Sequence, residues 1–244
     1  MSQGGTASAI GDRYNDNTYL AANADWHAAD SPWKAQLILD MLRRHRVEPG
    51  TLAEVGCGSG EILVNLARSL PETQFAGFDL SNDAYAICKP KEHDRLHFKL
   101  EDVAVSGEHF DVLTIIDVFE HVEDYFGFLR SIKPVADWHV FHIPLEVHAS
   151  ALLRGGFLKA RAQVGHLHFF TAETALAALK DTGYEIVGHE FTSAFDPGSG
   201  ARKPLRTRLA WLPRRLLWSL SPNLLSKSLG GCSLLVLARP MDRH

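Results

Sequence analysis

The chain has 244 residues, 45% of them apolar and 22% charged, a balance that suits one globular α/β domain with a small appended lid. Its net charge of −4 lacks the basic excess that binding a nucleic-acid backbone usually needs, so no nucleic-acid partner is expected. Three scattered cysteines (Cys57, Cys88 and Cys232) do not make a disulfide framework, and a reducing, cytoplasmic setting is expected.

Residues 1–25 are small and polar and read as a loose arm. The first 20 lack the basic start and apolar centre of a signal peptide. Residues 26–46 place Trp26, Trp33, Leu37, Leu39, Met41 and Leu42 between polar positions, and Asp30 or Ser31 with Pro32 makes a helix start. A short apolar run over 52–55 ends in glycines and predicts a strand. Residues 61–70 then carry Ile62, Leu63, Leu66, Ala67 and Leu70 at helical spacing. Further strands are predicted over 74–78, 96–100, 110–116 and 138–143, with helices over 82–89, 121–132 and 172–182. The last of these helices stops at Gly183, a natural C-terminal cap. Two late strands follow at 184–191 and 233–238. Repeated βα units imply a doubly wound, mostly parallel sheet with helices on both faces. Ligands of such sheets bind beyond the carboxyl ends of the strands, near the switch in strand order. No window approaches the roughly 18 apolar residues of a membrane span.

The first strand runs into Glu54-Val55-Gly56-Cys57-Gly58-Ser59-Gly60, and a helix follows. Glycines let the backbone turn sharply and let a ligand approach the main chain. A dinucleotide fingerprint would read G-x-G-x-x-G, but here the last glycine comes one residue early and Glu61 stands in its place. An acid there disfavours a pyrophosphate and suits a zwitterionic ligand without phosphate. Asp79, followed by Leu80, ends the second strand 19 residues beyond Gly60, where a carboxylate can accept both hydroxyls of a ribose. It could equally cap the next helix, a job Ser81 can do instead. Glu101 and Asp102 follow the third strand, where a carboxylate can accept from an adenine amino group or simply face solvent.

Together these residues resemble the Rossmann-like family of S-adenosylmethionine-dependent methyltransferases, in particular its small-molecule branch with the ubiquinone-biosynthesis O-methyltransferases. The resemblance covers about residues 48–145. It rests on the glycine turn, on Gly77-Phe78-Asp79, and on Phe110-Asp111-Val112-Leu113 running into Asp117-Val118-Phe119-Glu120-His121-Val122-Glu123-Asp124. The resemblance implies a seven-stranded sheet whose last strand is antiparallel, with an insertion before that strand. It implies S-adenosylmethionine as cofactor. Its methionine part would lie on Glu54, Gly56, Cys57, Gly58 and Gly60, its ribose on Asp79 beside Leu80, and its adenine on Glu101 or Asp102. Asp117 and Val118 would face the methionine ammonium. Residues 1–47 form an N-terminal arm and helix on the substrate side, and 48–244 form the methyltransferase domain.

A sulfonium methyl is already activated, so the enzyme chiefly aligns the acceptor and excludes water. An oxygen acceptor also needs a base near neutrality, for which histidine is the natural group. Of 13 histidines, five lie within residues 139–168. His121, His142, His166 and His168 are the candidates for acceptor contact. His139 stands three positions from His142 and so points to the opposite face of the strand. Asp117, Glu120 and His121 match an acid-x-x-Glu-His spacing that holds a divalent metal in some related O-methyltransferases. Metal-free relatives share it, and no metal is assigned. Residues 117–121 lack an Asn-Pro-Pro-Tyr-like motif, which argues against methylation of nucleobase amines.

Residues 192–230 form a basic amphipathic insertion. Arg202, Lys203, Arg206, Arg208, Arg214, Arg215 and Lys227 alternate with leucine and tryptophan, and 201–230 contain no Asp or Glu. Such a segment is either a helical lid with solvated arginines or a surface for anionic lipid or an acidic acceptor. The expected function is transfer of a methyl group to a small-molecule acceptor, at oxygen. The alternatives are a lipid-linked or membrane-partitioned acceptor, with peripheral membrane contact through 201–230, or a non-catalytic cofactor-binding protein. A nicotinamide-dependent oxidoreductase is disfavoured by Glu61 and the early glycine.

Overall fold

The computed structural model describes residues 28–193 and 211–241. The loose arm expected over 1–25, Trp26, and Arg202, Lys203, Arg206 and Arg208 of the basic segment lie outside the described residues.

Seven strands make one sheet: β1 (Thr51–Val55), β2 (Gln74–Asp79), β3 (Leu96–Leu100), β4 (Phe110–Ile116), β5 (Ala136–Leu145), β6 (Tyr184–Ser193) and β7 (Cys232–Pro240). Their order is β3-β2-β1-β4-β5-β7-β6, and only the β5–β7 and β6–β7 pairings are antiparallel. This is the expected doubly wound sheet with an antiparallel last strand. The strand order reverses between β1 and β4, so their carboxyl ends, Val55 and Ile116, open the crevice where ligands of this architecture bind.

Helices cover both faces. Ser31–Arg44 (α1) and Glu61–Ser69 (α2) pack against each other, and Ile38, Met41, Leu63 and Leu66 share one core layer with Leu52, Val112 and Val140 of the sheet. Asn82–Cys88 (α3) lies beside β3. On the other face, Tyr125–Ile132 (α4) and Ala172–Asp181 (α7) bury Leu129, Ile132, Ala175 and Leu179 with Phe78, Phe141 and Tyr184. The Tyr184 hydroxyl donates to the Leu129 carbonyl at 2.8 Å, which satisfies its one polar atom in that layer.

Two features depart from the sequence reading. The helix expected over 121–132 begins only at Tyr125, because the Asp124 carboxylate accepts from the Gly127 N–H and caps it there. Residues Phe119–His121 form a separate 3-10 turn. Two short helices, Ala149–Arg154 (α5) and Gly156–Gln163 (α6), follow β5 where no element was expected. The basic insertion is helical over Trp211–Leu220 (α8) and Pro222–Ser228 (α9), the backbone that a helical lid requires. Here α5 packs against α9, and the Ser150 hydroxyl donates to the Leu229 carbonyl at 3.3 Å.

Candidate functional site

The turn after β1 needs glycine at three places. Gly56, Gly58 and Gly60 have φ of 66°, 53° and 74°, a region that costs an L side chain about 1–2 kcal/mol. Space is as limiting as conformation. A Cβ on Gly60 would lie 2.5 Å from the Phe98 ring, and one on Gly77 would meet the same ring at 2.5 Å. Phe98 of β3 thus fills the slot that two glycines leave open and supports the turn from below. A Cβ on Gly56 would meet Val118 at 2.9 Å, so the turn also abuts the end of β4. Cys57 turns inward: its N–H donates to the Phe78 carbonyl at 3.1 Å and its thiol pairs with Cys88. Lys91 clamps the turn by donating to the Ser59 carbonyl and pairing with Glu61, both at 2.6 Å. That pairing offsets the charge of Glu61, so the case against a pyrophosphate rests on the glycine spacing and on Phe98.

Asp79 is tied directly to this turn. Its Oδ2 accepts from the Gly58 N–H and its Oδ1 from the Ser81 N–H, both at 2.8 Å. Burial pushes its carboxyl up, and these backbone donors oppose the rise. Ser81, not Asp79, caps α3. Leu80 is 68% exposed beside Asp79 and offers an apolar surface to a flat ring. Asp102 caps the next 3-10 turn through Ala104 N–H, and the exposed Glu101 lies 3.8 Å from Lys99. Asp102 thus has a local capping partner that the sequence reading did not include.

At the end of β4 the chain adopts φ of 55° at Asp117, one of two non-glycine residues with positive φ among those described. The strain aims its carboxylate at two nitrogen partners. Oδ2 meets Lys34 of α1 at 2.9 Å, and Oδ1 meets His142 Nδ1 of β5 at 2.7 Å. His142 Nε2 lies 3.0 Å from the Thr192 hydroxyl, and Trp33 packs edge-on against the ring. Lys34 also holds Asp30 at 3.0 Å. Burial alone would lower the Lys34 pKa, but the two carboxylates outweigh it and hold the ammonium above its usual range. Burial would raise Asp117, yet His142 and Lys34 keep it well below the ordinary carboxylate range. Glu54 lies buried on β1 with Oε2 unpartnered among the described residues; burial pushes its carboxyl up, and Lys34 opposes.

Beyond Asp117 the 3-10 turn brings Glu120 and His121 to His166, with donor atoms within 4.8 Å of one another. The Glu120 carbonyl accepts the N–H groups of Leu167 and His168, which pins the two segments side by side. His166 Nδ1 bonds to Glu146 Oε2 at 2.5 Å. His168 points elsewhere: it bonds to the Glu123 carbonyl at 3.1 Å and packs on Tyr125. His139 bonds to the Ile132 carbonyl in the core, and burial lowers its pKa to about 4. The histidines therefore divide into a buried His142 between Asp117 and Thr192, a cluster at His121 and His166, and His139 and His168, each bonded to a main-chain carbonyl.

Sequence reasoning missed Lys34, Phe98, Glu146 and Thr192. Lys34 left a trace, four residues after Asp30 on one helix face. Phe98 and Thr192 become site residues only through strand pairing, and Glu146, just beyond β5, only through its contact with His166.

A family model described as a methyltransferase domain matches residues 26–189. The chain belongs to the methyltransferase-domain family. Its cofactor is accordingly S-adenosylmethionine, and the bare glycine cradle, the acid bonded to it and the exposed Leu80 fit an adenosyl ligand. The mitochondrial ubiquinone biosynthesis O-methyltransferase of Candida albicans is 34% identical over 82 residues, covering 30% of this chain and 25% of that protein. The alignment thus spans a quarter of that relative's length. Two solved structures share the fold. The Synechocystis PCC 6803 magnesium protoporphyrin IX methyltransferase with S-adenosylmethionine bound is 14% identical, at a TM-score of 0.63 over 97% of this chain and 100% of its own. The Bradyrhizobium japonicum N-methyltransferase NodS with S-adenosylhomocysteine is 16% identical, at 0.56 over 93% of this chain and 100% of its own.

Proposed function

We propose that this methyltransferase passes the methyl group of S-adenosylmethionine to an oxygen of a small-molecule acceptor. The observation that carries the cofactor side is the bond between Asp79 and the N–H of Gly58, which joins the ribose-facing acid to the glycine turn. The same reading places the methionine part on Gly56, Gly58 and Gly60, with Glu54 and Asp117 near its ammonium. When bound, the cofactor supplies an electrophilic methyl group, and the protein's residues do the rest. The turn orients the ligand, and Leu80 covers its ring. Lys34 and Asp117 tie α1 over the end of β4 and keep water from the crevice.

The acceptor side rests on polar groups concentrated at the carboxyl ends of β4 and β5. His121 and His166 are the groups placed to take a proton from an acceptor hydroxyl. His142 acts on position, being enclosed by Asp117, Thr192 and Trp33. The relatives act on chemically different molecules, by their names, so the oxygen assignment rests on this cluster. Transfer of labelled methyl from the cofactor to a panel of phenols, hydroxy acids and matched amines tests it. Label in the oxygen acceptors is the expected result, and label confined to amines contradicts it.

A second reading, a membrane-partitioned acceptor, is favoured by one surface. Leu152, Leu153, Leu158, Leu216, Leu220 and Leu224 are each at least 53% exposed on α5, α6, α8 and α9. Residues 147–172 and 197–241 contain no Asp or Glu. No helix among the described residues is long and apolar enough to cross a membrane, so this surface would lie on a bilayer and not span it.

A further inference from the structure

We infer that Cys57 and Cys88 form an oxidisable dithiol beneath the cofactor turn, which a hydroperoxide closes into a disulfide and which, once closed, loosens the hold on S-adenosylmethionine. The first observation is where the two cysteines meet. They stand 31 positions apart in the sequence, one inside the glycine turn and one at the last residue of α3, and both are buried in the same core layer. A Cβ on Gly60 would lie 3.1 Å from Cys88 Cβ, and one on Gly77 would lie 3.0 Å from Cys57 Sγ. Both side chains thus press on the two bare positions that also admit Phe98.

The second observation is how the thiols share their hydrogens. Cys88 donates its own to the Tyr85 carbonyl at 3.4 Å, which leaves its sulfur to accept from the Cys57 thiol. That bond lowers the Cys88 pKa, burial opposes it, and Lys91, three residues on, adds to the lowering. The same bond, together with burial, raises Cys57. The thiolate is the form that reacts with peroxides, so Cys88 is the member of the pair that reacts first. Cys232 sits instead in the layer on the other face of the sheet, and burial pushes its thiol up to about 11.

The chemistry needs one peroxide and nothing else. The Cys88 thiol attacks one peroxide oxygen and becomes a sulfenic acid, while the other oxygen leaves as water. The Cys57 thiol then attacks the Cys88 sulfur, and the sulfenic oxygen leaves with the Cys57 proton as a second water. The two thiols lose two electrons in all, one peroxide is reduced to two waters, and a thiol reductant reverses the change. A disulfide holds its sulfurs about 2.05 Å apart, closer than any hydrogen bond between thiols, so closure draws the turn and α3 together. The turn has little slack to give. The Cys57 N–H donates to the Phe78 carbonyl at 3.1 Å, its carbonyl accepts from the Gly60 N–H at 2.8 Å, and the Gly58 N–H is held by Asp79. A pull on Cys57 therefore passes to Gly56 and Gly58 on either side. The loss of cofactor rests on the placement of its methionine part on this turn, whereas the dithiol itself does not.

The test uses the full chain, fully reduced and then exposed to hydrogen peroxide. Proteolysis and mass spectrometry without reductant locate the crosslink. Titration with S-adenosylhomocysteine reads the turn before exposure, after it, and again after dithiothreitol. Cys88→Ser is carried through the same steps. Wild type should give a Cys57–Cys88 crosslink with Cys232 still a thiol. Its affinity for S-adenosylhomocysteine should fall by at least about fivefold, the low end of coupling between two sites, return with dithiothreitol, and stay within about twofold in Cys88→Ser. Reduced wild type that binds S-adenosylhomocysteine but forms no such crosslink overturns the site. So does a crosslink that leaves the affinity unchanged, or a loss equally large in Cys88→Ser. Should Cys88→Ser fail to fold, the mapped crosslink and its reversal by dithiothreitol in wild type decide, since oxidation of a thiol past sulfenic acid does not reverse in that way. A crosslink in protein that binds no S-adenosylhomocysteine even when reduced would support the dithiol while removing the placement of the cofactor.

Discussion

At Gly60 a single added carbon meets two penalties at once. Alanine there would keep a φ of 74° and press its Cβ to 2.5 Å from Phe98. The conformational cost of about 1–2 kcal/mol and the overpacking cost of about 1–3 kcal/mol add to roughly 2–5 kcal/mol. Gly60→Ala should therefore lower stability by that amount in urea unfolding and weaken cofactor binding; a change under about 0.5 kcal/mol would contradict the slot formed with Phe98. The glycines were legible in the sequence because their spacing is local. Phe98 was not, because its role depends on β3 pairing with β2 in one register, Gly77 beside Phe98. Asp79 adds a pH dependence. Its carboxyl is raised by burial, and only the ionised form accepts two ribose hydroxyls. Cofactor affinity should fall as pH drops through a value above the ordinary carboxylate range near about 4. Calorimetry across that fall, beside Asp79→Asn, checks this: the dependence should vanish in the variant, and one that survives there unchanged would remove the role.

Among the elements, α1 carries the least obvious contribution. It was legible as an amphipathic helix, and its start at Ser31 matches the Asp30-Ser31-Pro32 signal. That its Lys34 reaches the end of β4 was not legible, because nothing in a linear pattern sets the angle at which a helix crosses a sheet. The Lys34–Asp117 pair is partly buried, with side chains 11% and 29% exposed. Removing one member of a buried pair costs about 3–5 kcal/mol, and this degree of exposure screens it to roughly 1–3 kcal/mol. Lys34→Met should destabilise by about that much near neutral pH. The sign of the pH dependence follows from the two shifts. Asp117 is depressed, so its contribution is present above the ordinary carboxylate value of about 4 and is lost as pH falls below it. Lys34 is raised, so its contribution is present below about 10.4 and is lost above. The stability gap between wild type and Lys34→Met should be flat from about pH 6 to 9 and shrink below about pH 4. A gap that persists into acid would mean that lost packing, not charge, sets it. The start of α4 was misplaced for a local reason: the Asp124 carboxylate accepts from the Gly127 N–H and sets the boundary at Tyr125.

In the whole molecule, the doubly wound, mostly parallel character of the sheet follows from βα alternation and right-handed crossovers, and it was legible for that reason, whereas the strand order comes from the structure. The helices after β5 and before β7 were harder. Their apolar positions serve two partners, the core through Leu225 and the solvent side through Leu152, Leu153, Leu220 and Leu224, so a one-face pattern is blurred. If the exposed leucines and basic residues meet a bilayer, the protein should co-sediment with vesicles rich in anionic lipid but not with neutral ones. Higher salt and Leu153→Glu should each reduce that binding. Equal binding to both vesicle types, or none, would favour a solvated lid. Cofactor binding depends on the glycine turn and on Asp79 bonded to it. Its most direct test is calorimetric titration with S-adenosylmethionine and S-adenosylhomocysteine, wild type beside Asp79→Ala. Both ligands should bind wild type one to one, and the substitution should weaken both at least about tenfold, a loss of about 1.4 kcal/mol. Folded wild-type protein that binds neither ligand would contradict the account.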